Sequence, residues 1–272
     1  MTRPLHSLLY LPANRASAIA KARTLPADAV LLDLEDAVQP AAKPEARQAA
    51  VAARLEGGWK AKLLLLRVNG FGTPWQAQDF AACAGFDGVV VPKIDSAAEA
   101  AEAVRLAAGV PVWAMIETPK GVLAAADIAA TPGIVALLAG MADLAKDLHA
   151  RPDAVRTPLL YSLSAIVIAA RAAGIACYDG VYTDIQNLAG FEAEARQGLM
   201  LGFDGKTLIH PSQVEACNAV FAPTEAEIAD AEGMIAAYEA ALAAGAGVAT
   251  FKGKMVEVLH VAEARRLLAG VR

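Results

Sequence analysis

The sequence predicts an α/β chain: a (β/α)8 TIM barrel followed by a C-terminal helical extension. Three observations carry that expectation. Eight short apolar runs recur with helix-compatible segments between them, their starts 22 to 40 residues apart. One strand with its crossover helix takes about 30 residues. The runs are continuously apolar instead of alternating, as strands covered on both faces require. Eight parallel strands close a barrel, and no G-x-G-x-x-G fingerprint marks the open dinucleotide-binding alternative.

The elements follow in order. Run one is Ser7–Pro12. Run two, Ala29–Asp33, leads into Leu34-Glu35-Asp36, and run three, Leu63–Asn69, closes on Arg67-Val68-Asn69. Run four, Gly88–Lys93, ends in Pro92-Lys93, and run five, Pro111–Glu117, runs into Thr118-Pro119. Run six, Val135–Gly140, passes through Met141 and Ala142 to Asp143. Run seven, Ile175–Tyr182, carries Asp179 with Asp184 beyond it, and run eight, Lys206–His210, meets Pro211. Helix starts are signalled by capping boxes at Ser96–Glu99 and Thr224–Glu227, and by Thr118 before Pro119. The tail reads as a long helix from Thr224, a Gly-rich stretch from Ala243 to Gly253, and a further helix from about His260. The expected division is therefore a barrel over 1–223 and a lid or oligomer arm over 224–272.

Composition narrows the function. Of the 272 residues 56% are hydrophobic and 19% charged, outside the disordered regime. Mean hydropathy is +0.40, yet the longest uncharged stretch, Ile128 to Ala142, is 15 residues and broken by Pro132-Gly133. A spanning helix needs about 20 apolar residues, so no membrane span is expected. Met1 to His6 does not read as a signal peptide. A net charge of −5 without a basic run argues against nucleic acid as a partner. Cys83, Cys177 and Cys217 lack a C-x-x-C spacing and read as reduced thiols of a cytoplasmic protein.

Active sites of such barrels sit at the C-terminal strand ends. There the chain gathers acids, one arginine and one lysine, which suits a metal site for an anionic, oxygen-rich substrate. Carboxylates without a His or Cys cluster favour Mg²⁺, with Mn²⁺ as the alternative. Glu117 and Asp143, from neighbouring strand ends, form the expected pair of ligands. The planar fork of Arg67 matches a substrate carboxylate. Blander readings stand beside these. Glu117 and Asp143 would be a rim salt bridge; Asp33, Glu35 and Asp36 a hydrogen-bond network or cap, with Arg67 paired to one of them. His210 reads as a hydrogen-bonded residue beside proline, and Lys93 as a rim ion pair. The surrounding acids disfavour a neutral Schiff-base amine at Lys93.

Seven motifs then occur in order: Leu8-Leu-Tyr-Leu-Pro12, Leu32-Asp-Leu-Glu-Asp-Ala-Val38, Arg67-Val-Asn69, Val91-Pro-Lys93, Ile116-Glu-Thr-Pro119, Gly140-Met-Ala-Asp-Leu144, and Gly202-Phe-Asp-Gly-Lys206 followed by Ile209-His-Pro-Ser-Gln213. The chain resembles the HpcH/HpaI aldolase superfamily, in its citrate lyase beta subunit-like branch. The resemblance implies a Mg²⁺-dependent carbon–carbon lyase that cleaves a citramalyl-, malyl- or citryl-CoA thioester to an acyl-CoA and a keto acid. It implies metal on Glu117 and Asp143, a substrate carboxylate on Arg67, and Glu35 and Asp36 around the metal and its water. Backbone amides of Met141, Ala142 and Asp143 would hold the keto acid carboxylate. It also implies a homo-oligomer, trimer or hexamer, in which the C-terminal segment covers a neighbour's site and delivers a catalytic carboxylate, here Glu257.

Three positions depart from the family pattern. His6 stands where an arginine associated with the thioester's nucleotide portion is usual. Glu257 replaces an aspartate in Gly253-Lys-Met-Val-Glu257, and the proline that usually follows is absent. A metal-dependent pyruvate aldolase is the first competing expectation, though no histidine lies between Asp28 and Gln39 to serve as its base. A CoA-thioester hydrolase on the same barrel and a non-catalytic citrate lyase-like subunit are the others.

Overall fold

The computed structural model describes residues 5–271; Met1–Pro4, where the expectation of no signal peptide falls, and Arg272 lie outside them. Eight strands close in sequence order into a parallel barrel. They are β1 (Ser7–Pro12), β2 (Ala29–Asp33), β3 (Leu63–Arg67), β4 (Gly88–Val91), β5 (Val112–Ile116), β6 (Ile134–Ala139), β7 (Ala176–Asp179) and β8 (Gly205–Leu208). Closure comes from β8 against β1, with Ser7 opposite Lys206 and Leu9 opposite Leu208. Each of the eight expected runs overlaps one strand, with β6 and β8 beginning one residue before theirs. Several strands stop short of the predicted end, at Arg67, Val91, Ile116 and Leu208. There the chain turns over the rim, as at Lys93, whose φ of 52° is left-handed.

Side-chain alternation sorts the strands into two apolar layers. Leu8, Leu31, Leu65, Val90, Trp113, Met115, Leu138 and Tyr178 fill the barrel interior. Trp113 stacks on Tyr178 with ring centroids 5.3 Å apart, and Gly88 leaves room for the indole. Leu9, Leu32, Leu66, Val89, Val91 and Leu137 instead pack outward against the helices. Two residues beyond Leu31, Leu65 and Met115 come Asp33, Arg67 and Glu117, so all three follow the inner face to its upper rim. Register places Pro12 beside Asp33 and Asp33 beside Arg67.

The cap signals are met to different degrees. Ser96 accepts from the Glu99 amide at 3.2 Å, but the Glu99 carboxylate turns to the Asp95 amide, so half of that box forms. Thr118 accepts from the Gly121 amide at 2.9 Å. Thr224 and Glu227 complete theirs in both directions.

The chain divides between Phe221 and Ala222 into two compact units. The second consists of a helix Glu225–Ala243, strands β9 (Ala249–Phe251) and β10 (Lys254–Val256), and a helix Val258–Val271. The expected Gly-rich connection therefore contains an antiparallel hairpin. Lys252 and Gly253, with φ of 47° and 75°, make its turn, as two-residue hairpin loops require. Ala249, Val256 and Val261 form a small core with Tyr238 and Phe251. No helix among the described residues is long and apolar enough to cross a membrane.

Candidate active site

At the end of β2, Asp33 is 1% exposed and fully engaged. It accepts from the amides of Glu35 and Ala37, shaping the turn after the strand. It also receives both Nε and Nη2 of Arg67 at 2.7 Å, a bidentate pair. The guanidinium lies 4.9 Å from the centre of the Tyr10 ring. Its Nη1 approaches Glu35 Oε2 to 2.7 Å and Asp36 Oδ2 to 3.9 Å. The Glu35 approach lacks hydrogen-bond geometry, and Oε2 is buried without a hydrogen-bond partner. Asp36 is 63% exposed and turned outward. For Asp33 and Arg67 the blander expectation, a structural pair, is the observed one.

Beneath this turn is a group that reading the sequence missed. Lys43 is buried, and its ammonium donates to the carbonyls of Leu34 and Glu35 and to Asn69 Oδ1. Asn69 is fixed in turn by Asp79 Oδ2 at 2.6 Å, and the Trp75 ring covers the ammonium at 4.9 Å. This network clamps the backbone that carries Glu35. Hydropathy places a lysine early in a helix in solvent, so only Asn69, at the end of run three, offered a signal.

Glu117 is 3% exposed and its Oε1 accepts from the Lys93 amide at 2.9 Å. Gly140 opposite makes room, since a Cβ there would stand 2.5 Å from Glu117 Oε2. Burial, and then the charge of Glu35, push the Glu117 carboxyl up to about 8. Glu35 is pushed up to about 7, by burial first; Arg67 opposes the rise while Asp36 and Asp33 reinforce it. Asp143 is in the first turn of a helix Met141–Asp147 and a quarter exposed. Met141 and Ala142 open that helix, ahead of its first bond, Leu144 N–H to the Gly140 carbonyl. The Lys93 ammonium stands 3.8 Å from Glu35 Oε1 and 3.8 Å from Asp143 Oδ1. Glu35, Glu117, Asp143, Arg67 and Lys93 are thus brought together at the upper rim. No cluster of three or more His, Cys, Asp or Glu among the described residues is pre-assembled around a metal position. Two carboxylates that share one loosely held ammonium still fit a hard divalent ion that keeps most of its ligands as water and substrate oxygens.

Other positions are not part of this group. Asp179 points to the outer face, where it binds Arg156 Nη1 at 2.7 Å and Lys206 Nζ at 3.0 Å. Asp184 lies in an exposed loop. His210 Nδ1 meets Ser212 Oγ at 2.7 Å in a local turn, the bland expectation. His6 precedes β1, donating its amide to Asp28 and stacking on Phe221. It is at the opposite end of the strand from the rim, so its departure from arginine does not touch this carboxylate cluster. The three cysteines are buried, each thiol pushed up to about 12 by burial. Glu257 belongs to the second unit, between β10 and the last helix, with its amide donating to His260 Nδ1.

Comparison with known proteins bears on this geometry. The family model described as HpcH/HpaI aldolase/citrate lyase matches residues 6–211. A (3S)-malyl-CoA thioesterase of Cereibacter sphaeroides is 42% identical over 268 residues, 98% of this chain and 94% of that protein. The citrate lyase subunit beta of Leuconostoc mesenteroides is 37% identical, across 96% of this chain and 91% of that one. A crystal structure of CitE from Mycobacterium tuberculosis, in complex with magnesium, acetoacetate and coenzyme A, superposes with a TM-score of 0.84 at 32% identity, covering 99% of each chain.

Proposed function

The chain belongs to the HpcH/HpaI aldolase/citrate lyase family, and we propose that it hydrolyses a malyl-class CoA thioester with Mg²⁺ held by Glu117 and Asp143. One observation carries the reading: the surplus of carboxylate at the rim. Arg67 is matched by Asp33 and also meets Glu35, which leaves Lys93 facing Glu117, Asp143 and the other oxygen of Glu35, so acids outnumber bases. The donors are all oxygen, the set that Mg²⁺ prefers to softer metals. Mg²⁺ bound there supplies Lewis-acid polarisation of a substrate oxygen.

The remaining work falls to the chain. Asp33 holds Arg67 in one orientation with Nη1 turned to Glu35 at 2.7 Å, so a substrate carboxylate would share that Nη1 with Glu35. The amides of Met141, Ala142 and Asp143 add donors for the same anion. Glu35, whose Oε2 faces Arg67 at 2.7 Å and whose Oε1 stands toward Lys93 at 3.8 Å, accepts a proton through Oε1 from a water aimed at the thioester carbonyl. Asp36 beside it keeps that corner hydrated. Glu257, supplied by a neighbouring copy in a homo-trimer or hexamer, returns a proton to the departing thiolate in hydrolysis, or to the acyl carbon in the cleavage reading below. The 42% identity with a malyl-CoA thioesterase supports hydrolysis. Carbon–carbon cleavage is the second reading, favoured by the 37% identity with a citrate lyase beta subunit.

Malyl-CoA separates the two, because hydrolysis releases malate and the free thiol of CoA, whereas cleavage releases glyoxylate and leaves acetyl-CoA intact. The purified protein with Mg²⁺ is expected to release thiol, and EDTA to stop it. Keto acid without thiol would select the lyase, and neither product would sink both. Citramalyl- and citryl-CoA belong in the same assay, since a methylene discriminates by only about 1–3 kcal/mol.

A further inference from the structure

We propose that the Lys93 ammonium holds the place of the divalent cation before it binds, and thereby sets the affinity of the site for metal. This rests on the Mg²⁺ reading above. Lys93 is anchored with unusual firmness at its backbone and loosely at its tip. Its φ of 52° is one that side-chain-bearing residues seldom adopt, and its amide is tied to Glu117 Oε1 at 2.9 Å. That backbone aims the side chain across the rim. The ammonium stops midway between carboxylates from two elements, 3.8 Å from Glu35 Oε1 and 3.8 Å from Asp143 Oδ1.

Both distances exceed hydrogen-bond reach, and the side chain is 45% exposed. Lys206 shows what a permanent buried lysine looks like in this barrel: 0% exposed, with carboxylate oxygens at 2.8 and 3.0 Å. Lys93 is held by the field of its neighbours alone, and its stem reaches solvent. A divalent ion carries twice the charge and approaches carboxylate oxygens to about 2.0–2.1 Å, so it displaces the ammonium. Until the ammonium withdraws, it opposes the incoming ion.

The test is Mg²⁺ and Mn²⁺ binding by calorimetry to metal-free wild type, Lys93→Met and Lys93→Arg, with melting curves in EDTA and in Mg²⁺. Lys93→Met is expected to bind metal about tenfold more tightly, since a like charge within about 4–6 Å shifts ionic equilibria by at least that factor. Without metal it should melt below wild type and gain more from Mg²⁺. Lys93→Arg should bind as wild type does. Should Lys93→Met not fold, Lys93→Gly removes the charge and adopts the left-handed backbone without strain. Unchanged or weaker metal binding in the charge-free variant overturns the assignment of Lys93 alone. Wild type that binds neither ion overturns the Mg²⁺ reading, and this proposal with it.

Discussion

Two buried ionic clusters occupy opposite faces of one sheet, and their difference separates structure from chemistry. On the outer face, Asp179 and Glu194 meet Arg156 and Lys206 in equal numbers, with the close pairs at 2.7–3.0 Å. The two cations hold the Asp179 carboxyl below the usual carboxylate range despite its burial. At the inner rim acids outnumber bases, and the carboxyls of Glu117 and Glu35 are pushed up to about 8 and about 7. A matched buried pair offsets its own desolvation. An unmatched one keeps that cost until something positive arrives, which is why surplus charge, more than buried charge as such, marks a functional site.

Removing one acid from each cluster is the strongest way to break this comparison. Asp179→Ala strands Arg156 and Lys206 without their shared anion. Loss of one partner of a buried pair costs about 3–5 kcal/mol, so the midpoint of denaturant unfolding should fall steeply. Glu117→Ala takes away a carboxylate already in excess, so stability should stay within about 1 kcal/mol of wild type, as the relief of repulsion offsets the lost packing. Its Mg²⁺-dependent turnover should fall by about 10²-fold or more. Equal destabilisation by both would mean that Glu117 is as structural as Asp179.

The same pair shows how far the sequence could be read. Strands were legible because both faces of a parallel sheet are covered, leaving continuous apolar runs that stop where polar residues reach the rim. That rule found Arg67, Glu117 and Asp143, and it equally admitted Asp179. Parity distinguishes them: Met115 faces inward, hence Glu117 does, whereas Tyr178 faces inward and Asp179 one residue later cannot. Counting by twos from the aromatic and aliphatic interior would have excluded it. Lys43 was out of reach, because its partners are two backbone carbonyls and a residue 26 positions away. The hairpin from Ala249 to Val256 was equally hidden, for strands of three residues carry too little pattern to count.

The two clusters should also respond to pH in opposite directions. Glu117 rises from an ordinary value of 4.5 to about 8 on folding, so between those values the folded chain binds more protons than the unfolded one. Stability of the metal-free protein should therefore fall as pH is raised from about 5 to 8. Asp179, held low, contributes stability above its unfolded value of 3.8 and loses it only as the solution becomes more acidic than that. Melting in EDTA across pH 5 to 8 should trace the first slope, and saturating Mg²⁺ should flatten it. A slope that persists with Mg²⁺ would place the titrating group elsewhere.

Each cluster has a glycine that makes room for its key acid, and these give the gentlest probe. A Cβ at Gly140 would collide with the Glu117 Cβ and stand 2.5 Å from its Oε2, and one at Gly198 would stand 2.7 Å from Asp179 Oδ2. Neither glycine has a left-handed φ, so alanine meets a steric obstacle alone. In Gly198→Ala, overpacking costs about 1–3 kcal/mol, partly offset by about 1 kcal/mol of helix propensity. Stability should drop slightly, with Mg²⁺ affinity unchanged. In Gly140→Ala the methyl collides first with the Glu117 Cβ, which side-chain rotation cannot move, so the ends of β5 and β6 must part. Mg²⁺ affinity should then weaken several-fold, and melting should drop with it. The outer methyl meets first the tip of Asp179, wedged between two cations, so the same substitution should be read as stability alone on one face of the sheet and as stability with chemistry on the other.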